Sequence, residues 1–297
     1  RSAISGRSPC AEMAETMDDR VVIGVASAAA ALLGLIVVLL VRRRTRPRFG
    51  SAGKGVVRWP DVLGEALRLV LEGDAPEATA RLKAAVERGT DNPSLFLALG
   101  ALLREQGEPE RAAALHRGLT VRRGIRPSVR AEAYRQVALD LLAAGRSVEA
   151  SEAAQKAAAL VPQDPVLLAL DRDAAYEAGD VDRSLACHYK LIKATGRADS
   201  HIEACLLAAR ADRTLREGDE SGARRDIKRA RKTDTTCARA RYLEARLEAD
   251  SGRHDRAAEA LGELQAARPG LDSLLLPHLA TMLHAAGDMA GLEAVRD

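Results

Sequence analysis

Seven glycines recur along this chain at an almost constant interval: Gly73, Gly107, Gly145, Gly179, Gly218, Gly252 and Gly287, separated by 34, 38, 34, 39, 34 and 35 residues. The stretch around the second shows what each one does. In PSLFLALGALLREQGEPERAAALHRGL, from Pro93 to Leu119, a period of 3.6 places Phe96, Leu99, Gly100 and Leu103 on one stripe. Gly107 breaks that helix, Glu108-Pro109 starts another, and Ala112, Leu115, His116 and Leu119 form its inward face. Small residues at Gly100 and Ala112 let two antiparallel helices approach closely, with Phe96 and Leu103 filling the space beside them. Five residues after the seven glycines stand Ala78, Ala112, Ala150, Ser184, Ala223, Ala257 and Leu292, six of them small, as close packing there requires. Pro162 and Pro269 end second helices where the next hairpin begins. One hairpin cannot bury its own apolar face, so the hairpins must stack.

A period near 34 with this bulky, small, bulky, turn-glycine, alanine order is the tetratricopeptide pattern. The expected fold is all-α: about seven hairpins over residues 59 to 297, the last incomplete, stacked as a right-handed α-solenoid. Such a stack grows without a central core, so 297 residues need not mean two globular domains. Aromatics make up only 2% of the chain and no run of β-branched residues alternates, which leaves no strand signal.

Three segments precede the repeats. Residues 1 to 20 are expected to be an unstructured tail; the chain begins with arginine, and Met13 or Met17 is the natural start. Val21 to Val41, VVIGVASAAAALLGLIVVLLV, holds 21 residues without a charge or proline. As a helix it is long enough for the hydrocarbon core of a bilayer. A buried core helix is the competing reading, but the apolar surface goes all the way round, which favours a transmembrane span. Asp18 and Asp19 precede it, while Arg42, Arg43, Arg44, Arg46 and Arg48 follow it. That order disfavours a cleaved signal and predicts the N-terminus outside and the repeats in the cytoplasm. The arginines belong to a basic linker, residues 42 to 58, and are placed against anionic lipid headgroups. Ser27, Ala31 and Gly34 offer small residues for helix pairing, and with it self-association. Gly53-Lys54-Gly55 is no phosphate loop, because Arg48 and Gly55 stand where that loop needs a glycine and a Ser or Thr. Beyond the arginine cluster the chain carries about −1, too little positive charge for nonspecific nucleic-acid binding. Basic pairs such as Arg224-Arg225 and Lys228-Arg229 read as solvated helix faces with neighbouring acids.

No constellation for catalysis or a cofactor is present: no HExxH, no nucleophile elbow, no dinucleotide turn after a strand. Asp171 and Asp173, two residues apart, do not share a helix face. The four cysteines, Cys10, Cys187, Cys205 and Cys237, include no CxxC pair and are expected to be free thiols. Cys187 and His188 on one helix, with His201 and Cys205 on the next, form the one conceivable metal cluster. Core packing is the simpler account of it, and no bound metal is expected.

A single span, a basic flank and a tetratricopeptide array together resemble the lipopolysaccharide assembly protein B family. The closest local likeness lies in Leu99-Gly100, Gly107-Glu108, Arg111-Ala112, His116 and the run Leu141 to Gly145; the architectural likeness covers residues 21 to 297. The resemblance implies an adaptor anchored in a bacterial inner membrane, and not an enzyme. It would join a membrane-bound AAA+ protease to the deacetylase that commits carbon to lipid A. The family ends in a rubredoxin-like domain with two metal-binding cysteine pairs, which this chain lacks. The sequence stops at Asp297 within the second helix of the seventh repeat, which suggests a truncated product or a lineage without that domain. The alternative is a membrane-tethered tetratricopeptide scaffold for another envelope or secretion complex. In this repeat geometry the second, fifth, ninth, twelfth and thirteenth positions of each first helix line a groove. By resemblance these select Arg104, Arg135, Asp173, Tyr176, Asp212, Arg216, Arg239, Tyr242 and Arg246 as the protein-binding residues.

Overall fold

A computed structural model describes residues 58–296 of the protein. The tail, the Val21–Val41 span and the flanking arginines Arg42, Arg43, Arg44, Arg46 and Arg48 lie outside the described residues. Among the described residues no helix is long and apolar enough to cross a membrane. The described residues from Ala66 onward belong to one compact unit.

The described residues form fourteen α-helices and one short 3-10 turn, Pro269–Leu271, with no strand among them. In chain order the helices are α1 Trp59–Leu71, α2 Ala75–Glu87, α3 Pro93–Glu105, α4 Pro109–Thr120, α5 Pro127–Ala143, α6 Ser147–Leu160 and α7 Pro165–Glu177. They continue as α8 Val181–Thr195, α9 Ser200–Arg216, α10 Glu220–Thr233, α11 Ala238–Asp250, α12 His254–Ala267, α13 Asp272–Ala286 and α14 Met289–Arg296. Odd-numbered helices are the first helices of the repeats and even-numbered ones the second. α6 and α12 stop just ahead of Pro162 and Pro269, the prolines that predicted their ends.

One local device makes all seven turns. Each of the seven glycines has φ between 72° and 86°, the left-handed region that only glycine enters without strain. The amide after each glycine then bonds a carbonyl five residues back, as in Asp74 to Leu69 (2.8 Å), Arg146 to Leu141 (2.8 Å) and Asp219 to Thr214 (2.9 Å). This closes the first helix in a Schellman turn. Where aspartate follows the glycine, its side chain caps the second helix: Asp74 accepts from the Glu77 amide, Asp180 from Arg183 and Asp219 from Gly222. Asn92-Pro93 and Asp164-Pro165 start first helices by the same means, an N-cap acceptor followed by a proline at the first helical position.

The small residues five places on are where the helices touch. Ala78, Ala112, Ala150, Ser184, Ala223 and Ala257 have no exposed surface, and Leu292 is also buried. The core is a row of clusters and not a centre. One draws on α5, α6 and α7, another runs from Val181 to Leu247 across α8, α9, α10 and α11, and a third joins α11, α12 and α13. Each repeat buries its apolar faces against its neighbours, the arrangement expected of a solenoid.

The candidate protein-binding face

Stacking in register brings the first helices side by side: α3 packs on α5, α5 on α7, and α9 on α11. Four of the nine residues predicted to face a partner meet there. Arg239 of α11 reaches past α9, donating to the Tyr176 hydroxyl of α7 (3.0 Å) and to Asp212 Oδ2 of α9 (3.1 Å). Arg216, one turn along α9, donates to the same Asp212 oxygen. Asp212 is buried, whereas the Arg216 side chain is 66% exposed. Tyr176 is also open to solvent. Burial pushes the Arg239 pKa down, but Tyr176 and Asp212 outweigh it and hold the guanidinium charge firmly. One buried carboxylate thus positions two arginines on a surface spanning three repeats.

The other predicted residues divide between this surface and internal ties. Arg246 is half exposed, near Asp250 of its own helix at 3.8 Å. Together with Tyr242 it lines a cavity of about 170 Å³, whose other walls are Ala245, Ala249, Leu261, His278 and Met282. Asp173 is exposed and accepts from its neighbour Arg172 (2.7 Å). Arg135 makes a two-pronged bond to Glu132, at 2.8 and 2.7 Å. Desolvation lowers its pKa, and Glu132 more than restores it.

Arg104 turns inward. Its guanidinium donates to Gln136 (3.0 Å) and to Asp140 (2.6 Å) on α5, leaving only 16% of the side chain exposed. The second Asp140 oxygen accepts from His116 Nδ1 of α4 at 2.6 Å, and both of those side chains are fully buried. A buried carboxylate is tolerable only when its acceptor sites are filled, and here the two helices of the preceding repeat fill them.

Sequence reading passed over Gln136, Asp140 and Glu132. A polar residue on an inward stripe of an alanine-rich helix was the signal. Glu132 and Cys205 also occupy the same place before their turn glycines as Arg239 does before Gly252. The second-helix side holds a larger cleft of about 450 Å³ between α10 and α11, lined by Arg224, Lys228, Arg231, Glu244 and Glu248 among others. Its arginines are engaged: Arg224 with Glu220 and Glu248, Arg231 with Glu244 and Glu263.

The conceivable metal cluster does not assemble. Cys187 donates to Asp171 within the core (3.2 Å), and burial, with that carboxylate, pushes its thiol up to about 12. His188 is buried with neither ring nitrogen bonded. Asp171 is buried and Asp173 exposed, as expected for residues on different faces. Among the described residues no group of three or more His, Cys, Asp and Glu side chains has the geometry to hold a metal ion.

No family model matches the chain, and no curated protein matches it in sequence. Among solved structures, it is similar to the C-terminal part of a TPR repeat-containing protein from Cytophaga hutchinsonii, at 14% identity and a TM-score of 0.56. That match covers 78% of this chain and 92% of the other. PilF from Pseudomonas aeruginosa matches at 17% identity and a TM-score of 0.43, over 71% of this chain and 92% of its own. MamA from Desulfovibrio magneticus matches at 15% identity and a TM-score of 0.44, over 59% and 94%. The fold is a tetratricopeptide-repeat α-solenoid.

Proposed function

We propose that the chain is a membrane-anchored adaptor, without enzymatic activity, that holds protein partners on the face made by its first helices. The observation that carries this is the Tyr176–Asp212–Arg239–Arg216 cluster. It presents an aromatic ring and two arginines across α7, α9 and α11, preorganised by one buried acid. Tyrosine and arginine are the residue types that most often anchor interfaces, and fixing them beforehand lowers the entropy lost on binding. Tyr242 and Arg246 extend the surface along α11 to the 170 Å³ cavity.

The apolar segment Val21–Val41, the arginines after it and the repeats together resemble the architecture of the lipopolysaccharide assembly protein B family. On that likeness the partners are a membrane AAA+ protease and the deacetylase that commits carbon to lipid A, and the adaptor sets the lifetime of the deacetylase. A scaffold for another envelope complex would use the same face with different partners.

The test is co-purification from detergent-solubilised membranes, with wild type beside an Arg216→Ala, Arg246→Ala double variant. These are exposed arginines, so helicity and thermal unfolding should be unchanged. Truncating interface anchors typically costs ~2 kcal/mol or more, so the variant should lose most of the captured partner. Equal capture by both proteins overturns the binding face. Capture by wild type of neither the protease nor the deacetylase overturns the lipid A assignment.

A further inference from the structure

The flanks of α10 are tied to its neighbours, but its outer side is not. Ala223, Ile227 and Ala230 are buried and set the inward direction of the helix. Arg224 and Arg231, to one side of them, bond Glu248 and Glu244 of α11. Arg229, to the other side, donates to the Tyr189 hydroxyl of α8 (2.7 Å) and to Glu203 of α9 (3.0 Å). At 3.6 residues per turn, Arg225, Lys228 and Lys232 stand opposite the buried stripe, and all three are exposed. Among the described residues none of the three has a hydrogen-bond or ion-pair partner. The basic pairs that read in sequence as solvated faces with neighbouring acids therefore split: Arg224 and Arg229 have their acids, Arg225 and Lys228 do not.

α8 continues this surface. Its Lys190 and Lys193 point away from the buried Ser184, Leu185 and His188, are exposed, and have no bonded partner among the described residues. The acids of both helices are already taken within the stack, Asp182 by Arg213 and Arg210, Asp226 by Arg210, and Glu220 by Arg224. What remains on two adjoining helices is five cations of one sign, with Tyr189, 37% exposed, between the two helices. The outer sides of α6 and α12 differ, with exposed Glu152 and Lys156 on the first and Asp255, Arg256 and Glu259 on the second.

We propose that the outer surface of α8 and α10 docks on anionic phospholipid headgroups and holds the fourth and fifth repeats against the membrane. The proposal rests on the membrane anchorage proposed above.

The chemistry of the surface selects this partner. Three of the five cations on α10 and α8 outside the arginine ties are lysines of the two helices' outermost positions, and a fourth lysine joins them. Lysine is a compact charge on a flexible stem, suited to a fluid plane of phosphates and not to one fixed bidentate partner. Tyrosine, with an apolar ring and a polar tip, favours the membrane–water interface. Each cation adds a modest attraction to an anionic leaflet, and a tethered chain meets that leaflet at high effective concentration, so few cations suffice. An untethered nucleic acid would need more phosphate contacts and more aromatic rings for its bases than the one this surface offers. The surface belongs to second helices, whereas Arg216 and Arg239 belong to first helices, so docking leaves the protein-binding face free.

The test reconstitutes the full chain into nanodiscs of phosphatidylcholine alone, or of phosphatidylcholine and phosphatidylglycerol in equal parts, at low ionic strength. Acetylation of lysines by a water-soluble succinimidyl ester is followed by peptide mass spectrometry. In the anionic discs Lys190, Lys193, Lys228 and Lys232 should react several-fold more slowly than in the neutral discs, while Lys156 reacts equally in both. High salt should abolish the difference, because the attraction is screened. An Arg225→Ala, Lys228→Ala, Lys232→Ala variant, altered only at exposed positions, should keep its helical circular dichroism and restore fast labelling of Lys190 and Lys193. Equal labelling of the wild type in the two discs overturns the docking surface. So does protection that the triple variant retains, or that extends equally to Lys156. Protection by duplex DNA in neutral discs, with none in anionic discs, overturns it in favour of a nucleic acid. Wild type that elutes apart from the neutral discs refutes the span, and the tethered docking with it; that failure is distinct from equal labelling of a chain that stays in both discs.

Discussion

A β-carbon added at Gly100 would lie 2.3 Å from two atoms of the His116 ring, and the ring has nowhere to go. His116 is fully buried, bonded through Nδ1 to Asp140 and with Nε2 3.3 Å from the Leu97 carbonyl. Gly100→Ala should therefore destabilise the protein by ~1–3 kcal/mol, the usual cost of overpacking. Gly118, inside α4 with nothing within 4 Å, is the contrast: Gly118→Ala should be neutral or gain ~0.5–1 kcal/mol through helix propensity. Urea unfolding of the two variants measures both, and equal effects would remove the His116 account. The sequence made Gly100 and His116 legible as facing positions. It did not reveal that Asp140 lies beneath His116, because that contact crosses into the next repeat. The same limit applies to Arg104, whose position predicted an outward role and whose charge is drawn inward by Asp140.

The elements themselves were written locally, and so they were readable. Glycine at the turn, a small residue five places later and proline at helix starts each act within one hairpin, and all seven turns formed as expected. Charge pairs across repeats also join one hairpin to the next. Glu248 of α11 is one of these ties. Arg253, at the start of its own second helix, and Arg224 on α10 both donate to it. The Arg253 hydrogen bond first, and Arg224 with it, pull its pKa from 4.5 to about 2 against the opposing effect of desolvation. A depressed folded-state pKa means the unfolded chain binds the proton more readily. The contribution to stability is then complete above pH 4.5 and disappears as pH falls towards 2. Glu248→Gln should lower stability at neutral pH and flatten its decline over that window. Thermal melts from pH 7 to pH 2 test this, and parallel curves for variant and wild type would show that Glu248 is not a significant acid-labile tie.

At the scale of the whole molecule, the proposed function turns on which side of a membrane the repeats occupy. Five arginines lie within seven residues after the apolar segment, while the residues before it include Asp18 and Asp19 and sum to about −1. Holding a cluster of arginines on the cytoplasmic side is the general bias of single-span proteins, and the anionic leaflet there favours them further. The first-helix face with Arg216, Arg239 and Arg246 would then meet cytoplasmic proteins. A C-terminal fusion to alkaline phosphatase, which matures only outside the cytoplasm, should be inactive. A fluorescent-protein fusion that fails to mature after export through the general secretory pathway should glow. Sodium carbonate extraction should leave the fusion in the membrane fraction. Active phosphatase with a dark fluorescent partner would place the repeats outside, where no cytoplasmic deacetylase can reach them, and the lipid A adaptor would give way to a scaffold for an envelope complex.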